Sequence, residues 1–297
     1  MDHAIELIDV TKFYGANQAL NKLSLHVNQG EIYGFIGPNG AGKSTAIRLM
    51  LNFIKMQSGT IRIMGLTPQK DDVAIKKQTG YVSAETFMYS DMRVRELFRF
   101  TESFHGISAP RKIKKLTDAL EIDVNKKFED LSFGNRKKVA IACAMLHSPK
   151  LIILDEPSNG LDPVIRTNLY DLLVEEQRLG ATIFFSSHVL TEVQKVCTRI
   201  GLIKSGYLIK ETTAAEFANI GYRKVSLETV SDLNIATLKG VADLQQDNQA
   251  YRFIYSGKAD DLINLLSTVS ISSLHIEDPE LERVFMHYFN DNNSNAI

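Results

Sequence analysis

GPNGAGKST, residues 37–45, follows a short apolar run, Glu31 to Ile36, and opens a helix-length segment over residues 44–55. Gly37, Gly42, Lys43 and Ser44 fit GxxxxGK[ST], in the strand-loop-helix setting where that pattern cradles phosphate. At average residue usage the pattern arises by chance in a chain of this length on the order of once in a hundred, so an ordinary glycine turn is the weaker reading. Glycines let the backbone curl until successive N–H groups point at phosphate oxygens, and the helix starting near Ser44 aims its positive end at them. Lys43 is expected to reach the β and γ phosphates, the Ser44 hydroxyl to serve Mg2+ as an oxygen ligand, and Thr45 to orient the α phosphate. Pro38, Asn39, Gly40 and Ala41 complete the expected nucleotide loop.

Further along, LIILDEP, residues 151–157, puts Asp155 and Glu156 where a buried strand emerges. Open α/β sheets bind ligands at that carboxyl edge. Asp155 is expected to hold the metal through water. Glu156 is expected to accept a proton from the water attacking the γ phosphate, a role worth roughly 10²- to 10⁴-fold in rate. Two acids before a proline also read as a solvated strand end, and the phosphate loop decides between the two.

Residues 4–10 and 19–27 alternate as half-buried strands, with further strands expected at 60–63 and Gly80 to Ser83 and helical periodicity from 93 to 121. Leu151 to Leu154 and Thr182 to Ser186 are apolar strands around a helix-length segment, 163–178, which signals a parallel βαβ sheet buried on both faces. Around residues 211–222 the pattern changes to short strands near 223–228, 250–255 and 270–276. The expected organisation is a large α/β domain over 1–215, with a helical subdomain at about 85–145, and a small α+β domain over 216–297. DPELERVFMHYF, residues 278–289, reads as an amphipathic helix, and the polar tail NDNNSNAI as frayed.

Lys and Arg total 34 against 35 for Asp and Glu, a net charge of -1, so no overall basic field attracts nucleic acid and none is expected as a partner. Cys143 and Cys197 lack metal-type spacing and read as reduced core residues. The N-terminus has no secretory pattern, and no apolar run approaches the ~18 residues of a membrane span. Any membrane role is therefore expected to be exercised from the cytosol through partners.

Taken in order, these motifs make residues 4–210 resemble the nucleotide-binding subunits of ABC transporters. LSFGN, residues 131–135, is similar to the family signature LSGGQ. The resemblance implies a P-loop NTPase core, a RecA-like, mostly parallel sheet with an antiparallel β subdomain and a helical subdomain. It implies ATP and Mg2+ as cofactors, with each ATP sandwiched between two chains: Ser132 and the backbone around Gly134 would cap the γ phosphate held on the opposite subunit. Ser132 also reads simply as a helix N-cap. Asp162 of NGLD would cross the dimer interface, His188 after TIFFSS would contact the γ phosphate and position water, and Tyr14 would stack on adenine, with Phe13 as its rival. His3, His26, His105, His147, His275 and His287 match no family position.

The implied partners are a second nucleotide-binding subunit, identical or homologous, and integral-membrane permease subunits that hold the chain at the inner face of the cell membrane. The C-terminal helix is similar to that of drug- and peptide-export members. Two departures stand out: Ala84 and Glu85 occupy the place of the usual loop glutamine, and Phe133 and Asn135 alter the signature. Glu85 offers a carboxylate as a substitute metal or water ligand. Phe87, Tyr89, Phe98, Phe100 and Phe104 read mostly as core, with a groove for the membrane partner as the alternative, and RKIKK, residues 111–115, reads as a solvated face. A soluble ABC ATPase acting on ribosomes, DNA or an assembly scaffold is the second reading, disfavoured by the single cassette and the short span between Ala84 and Leu131. A small-molecule kinase is a third, disfavoured by LSFGN and the acid pair.

Overall fold

The computed structural model describes residues 3–219, 223–230, 232–235 and 238–277, with backbone alone for 217–219. The helix expected at 278–289, His287 and the polar tail lie outside the described residues. The chain divides into two compact units, Met1–Thr213 and Ala214–Ile297.

In the first unit, β1 (His3–Tyr14) pairs antiparallel with β2 (Asn17–Asn28) and β4 (Ser58–Ile63). A six-stranded sheet has the order β5-β6-β7-β3-β8-β9, from β3 (Ile32–Ile36), β5 (Thr79–Val82), β6 (Leu151–Asp155), β7 (Thr182–Ser187), β8 (Arg199–Lys204) and β9 (Tyr207–Thr213). All its pairings are parallel except β8 with β9. β3, β6 and β7 are buried along their whole length, which is why they read as continuous apolar runs. One core joins the two sheets through Leu7, Leu25, Phe35, Ile47, Ile153 and Phe184.

Helices α1 (Lys43–Met50), α2 (Pro68–Lys77), α3 (Val94–His105), α4 (Pro110–Leu120), α5 (Phe133–Leu146), α6 (Pro163–Arg178) and α7 (Leu190–Val196) connect the strands. α1 is shorter than the expected 44–55. Asn52 turns left-handed (φ 56°), and the N–H groups of Phe53 and Asn52 close on the carbonyls of Arg48 and Leu49, a Schellman stop. The expected helical run 93–121 is two helices, broken between Gly106 and Pro110. In α3 the buried stripe is Val94, Leu97 and Phe98, leaving Phe100 and Phe104 on another face. Of the five aromatics expected to be mostly core, only Phe98 is buried; Phe87 is 84% exposed.

The RKIKK segment is likewise only partly solvated. Lys112 pairs with the buried Glu176 at 2.9 Å and Lys115 with Glu175, both on α6, while Lys114 faces Asp118. Both cysteines are free and buried, and burial pushes the Cys143 thiol up to about 12.

The second unit contains α8 (Ala214–Asn219), β10 (Arg223–Thr229), β11 (Val241–Asp247), β12 (Ala250–Tyr255), α9 (Ala259–Leu266) and β13 (Ile271–Glu277). Its antiparallel sheet has the order β11-β12-β10-β13 around a core of Val225, Leu227, Tyr251, Phe253, Leu262 and Leu266. β11 escapes the sequence patterns because VADLQQD, on the edge of the sheet, is exposed along most of its length.

Candidate nucleotide site

The parallel register brings three strand ends together, with Ile36 opposite Ser187 and Asp155 opposite Ser186. The loop after β3, the acids of β6 and the histidine after β7 therefore converge on one edge, opening into a cleft of about 630 Å³. The Gly37 N–H donates to the Ser187 carbonyl (3.3 Å) and that of Ala41 to the Pro38 carbonyl (3.2 Å), which close the curl of the loop. Gly42 stands at φ 110°, and a Cβ there would lie 2.7 Å from the Ala19 carbonyl oxygen, so both conformation and space require glycine. Gly42 caps α1 without any side-chain acceptor, so the first turn of the helix presents its N–H groups to an incoming anion.

Lys43 is buried, and its Nζ donates to the carbonyls of Gly37 (2.6 Å) and Pro38 (3.2 Å). The same Nζ lies 3.2 Å from Glu156 Oε1. That contact is an ion pair whose alignment makes no hydrogen bond, and Oε1 is otherwise a buried acceptor with no donor. Glu156 Oε2 meets Nδ1 of the half-exposed His188 at 2.7 Å. The Glu156 backbone is left-handed (φ 50°), a strained conformation for a non-glycine residue, and is held there as its N–H donates to the Ser186 carbonyl and hydroxyl, each at 3.2 Å. The Ser186 hydroxyl in turn donates to Asp155 Oδ1 at 2.7 Å, fixing the two acids to β7. Tyr81 stands near this pair, and burial, then the Asp155 charge, pushes its hydroxyl up to about 12.

Tyr14, Pro38, Asn39, Gly40, Ala41, Gly42, Lys43, Ser44, Thr45, Glu156 and His188 all line the cleft. Tyr14 is 44% exposed with Lys12 Nζ 5.2 Å from its ring centre. Phe13 is not on that lining, its backbone being clamped by the side-chain amide of Gln57. Asn17, Gln18, Ala19 and Ser205 also line the cleft and carry no motif signal of their own; Ala84, at the place of the loop glutamine, and Asn159, the first residue of NGLD, line it too. The hairpin turn at Gly15 and the Ser205–Gly206 turn are the local cues that bring some of them there.

Ser132, Gly134 and Asp162 are not part of this cleft. Ser132 caps α5, accepting from the Asn135 N–H at 3.4 Å, and Asp162 caps α6, accepting from the Ile165 N–H at 3.0 Å. The Ile165 bond holds the Asp162 carboxyl below its usual range. Glu85 is exposed and lies outside the lining, whereas its neighbour Ala84 is on it.

A family model described as "ABC transporter" matches residues 20–159. The bacitracin transport ATP-binding protein BcrA of Enterococcus faecalis is 35% identical over 242 residues, 80% of this chain and 77% of that protein. The chain belongs to the ATP-binding subunits of ABC transporters. The linearmycin resistance ATP-binding protein LnrL of Bacillus subtilis is 28% identical over 298 residues, covering 94% of this chain and 96% of its own length. A solved ATP-binding subunit of an ABC transporter shares the fold with a TM-score of 0.68 at 27% identity, covering 72% of this chain and 93% of that one. As an ABC subunit the chain is an ATP-binding and ATP-hydrolysing enzyme, and the α/β core with its phosphate-binding loop agrees with the fold that its motifs imply.

Proposed function

We propose that this chain is the motor of an exporter for antibiotic-like drugs, peptides or lipids, acting from the cytosol as a dimer beneath separate membrane-spanning subunits. The observation that carries this reading is the Lys43–Glu156–His188 cluster under an uncapped helix terminus, while the Ser132–Gly134 corner stands away from the cleft of its own chain. A corner so placed serves a nucleotide on a second subunit. The names of its relatives, bacitracin transport and linearmycin resistance, point to the export of such compounds.

Within that reading the loop from Gly37 to Thr45 binds the phosphates, Lys43 neutralises the β and γ groups, and Tyr14 stacks on adenine. Glu156 Oε1, buried without a donor, receives the proton of the attacking water, and His188 steadies Glu156 from the other oxygen. Asp155 and the Ser44 hydroxyl would supply oxygen ligands of the kind Mg2+ prefers, and the ion would offset phosphate charge. Glu85, exposed and outside the cleft, is a minor candidate for that set. Ser132, Gly134 and Asp162 act across the dimer interface.

For the membrane partner, Phe87, Tyr89, Leu97 and Phe100 line an open groove of about 440 Å³. Exposed aromatics in such number mark a contact surface. The test is affinity purification of the tagged full chain from membranes of its own cell. Recovery with hydrophobic membrane subunits, lost in Phe87→Ser/Phe100→Ser while soluble ATPase activity persists, is expected. Recovery solely with ribosomes would overturn the proposal.

A further inference from the structure

Lys137, in the second turn of α5, is completely buried. Its Nζ donates to two successive carbonyls of the loop after β5, Ser83 at 2.8 Å and Ala84 at 2.5 Å. The same ammonium sits 5.6 Å from the centre of the Phe133 ring, one turn earlier in the helix. Burial lowers its proton affinity, and the charges of Asp155 and Glu156 work against that loss. Removing an ammonium from water is costly, and an unbranched apolar side chain of similar length would fill this space without that cost. A charge retained in such a place calls for a task other than packing.

The groups Lys137 touches belong to two different surfaces. Ala84 lines the nucleotide cleft of this chain. Phe133, half exposed, belongs to the signature corner and lies over Gly160, where an added Cβ would come within 2.5 Å of the ring. Gly134 packs against the Gly160 carbonyl, where a Cβ would approach to 2.3 Å. One ammonium thus joins the cleft wall to the helix start that carries LSFGN, and through Phe133 to the loop that ends in Asp162.

We propose that Lys137 is a positioning residue that fixes the orientation of the signature corner relative to the Ala84 wall of its own chain's cleft, so that occupancy of one site sets the geometry offered to the other. This rests on the dimer reading above. Its role is exercised through the Ser83–Ala84 backbone and the Phe133 ring, without contact to the reacting atoms.

The test uses the full chain with Lys137→Met, which keeps length and removes donors and charge, and Lys137→Gln, which restores amide donors. Lys137→Met is expected to bind a fluorescent ATP analogue within threefold of the parent but to lose at least tenfold in kcat, while Lys137→Gln stays within threefold in both. In the Glu156→Gln background, Lys137→Met is expected to diminish the dimer formed with Mg-ATP in gel filtration. Unchanged kcat, or a loss of nucleotide affinity as large as the loss of kcat, would overturn the role. If Glu156→Gln alone stayed monomeric, the dimer reading would fall and this inference with it. Equal dimerisation of Glu156→Gln and the double variant would overturn the Lys137 role alone.

Discussion

His188 Nδ1 lies 2.7 Å from Glu156 Oε2, joining the residue that follows β7 to the acid that follows β6. The other carboxylate oxygen is left facing Lys43, buried and without a hydrogen-bond donor. A carboxylate held on one side and open on the other is oriented for one proton transfer. We predict that Glu156→Gln binds ATP, loses at least about 10²-fold in phosphate release, and shifts to dimer mass in gel filtration with Mg-ATP. An unshifted monomer that still hydrolyses would contradict the role.

Tyr14 and Phe13 are adjacent, and only Tyr14 lines the cleft. Base-aromatic stacking is worth about 1–3 kcal/mol by truncation. We predict that Tyr14→Ala weakens ATP binding by roughly 5- to 150-fold in a calorimetric titration, while Phe13→Ala leaves it within twofold. The reverse ranking would move the adenine site away from Tyr14.

Gly80 in β5 presents its α-carbon to α5, and an added Cβ would lie 2.0 Å from the backbone oxygen of Ala144. No flexible side chain stands there to yield, so strand or helix must shift. Overpacking of this kind costs about 1–3 kcal/mol, sometimes more. We predict that Gly80→Ala lowers the Tm of the cassette by several degrees in a thermal melt, at about 2–4 °C per kcal/mol for a unit of this size.

His147 stacks on His105 with ring centres 3.7 Å apart. Burial, then His105 and Lys112, lower its pKa from 6.5 to about 4. The folded state therefore prefers the neutral ring: its contribution to stability is complete above the ordinary value near 6.5 and is lost as pH falls from there toward 4. We predict that His147→Phe, which keeps the stack and removes the titration, flattens the fall of Tm between pH 6.5 and 4. An unchanged slope would assign the acid sensitivity to other groups.

The chemistry of the first unit is written in short contiguous words, because a phosphate loop needs glycines at fixed positions and an acid pair needs a strand end beneath it. Lys43 and Glu156 could therefore be named before any coordinates, His188 only through the family resemblance, and parallel register then sets the three on one edge. Residues that reach the cleft from turns, such as Ser205 and Asn17, have no such word around them. The exposure of Phe100 and Phe104 depended on which stripe of α3 faces α5, which a bare count of aromatics does not resolve. Phe133 reads only as an alteration of the signature until Gly160 is seen beneath its ring. The left-handed turn at Asn52 shortened a helix whose apolar spacing runs on regardless.

The Lys43 ammonium has three oxygen neighbours, two carbonyls of its own loop and one acid. An arriving triphosphate therefore competes for a cation that is engaged, and measured affinity is the difference between new contacts and those surrendered. Neutralising the acid relieves one competitor, so the hydrolysis-deficient protein should hold its nucleotide more tightly than the active one does. Under the roles proposed for Lys43 and Glu156, fuel and catalyst would share a single counter-ion, and the acid would be freed once the fuel has claimed it.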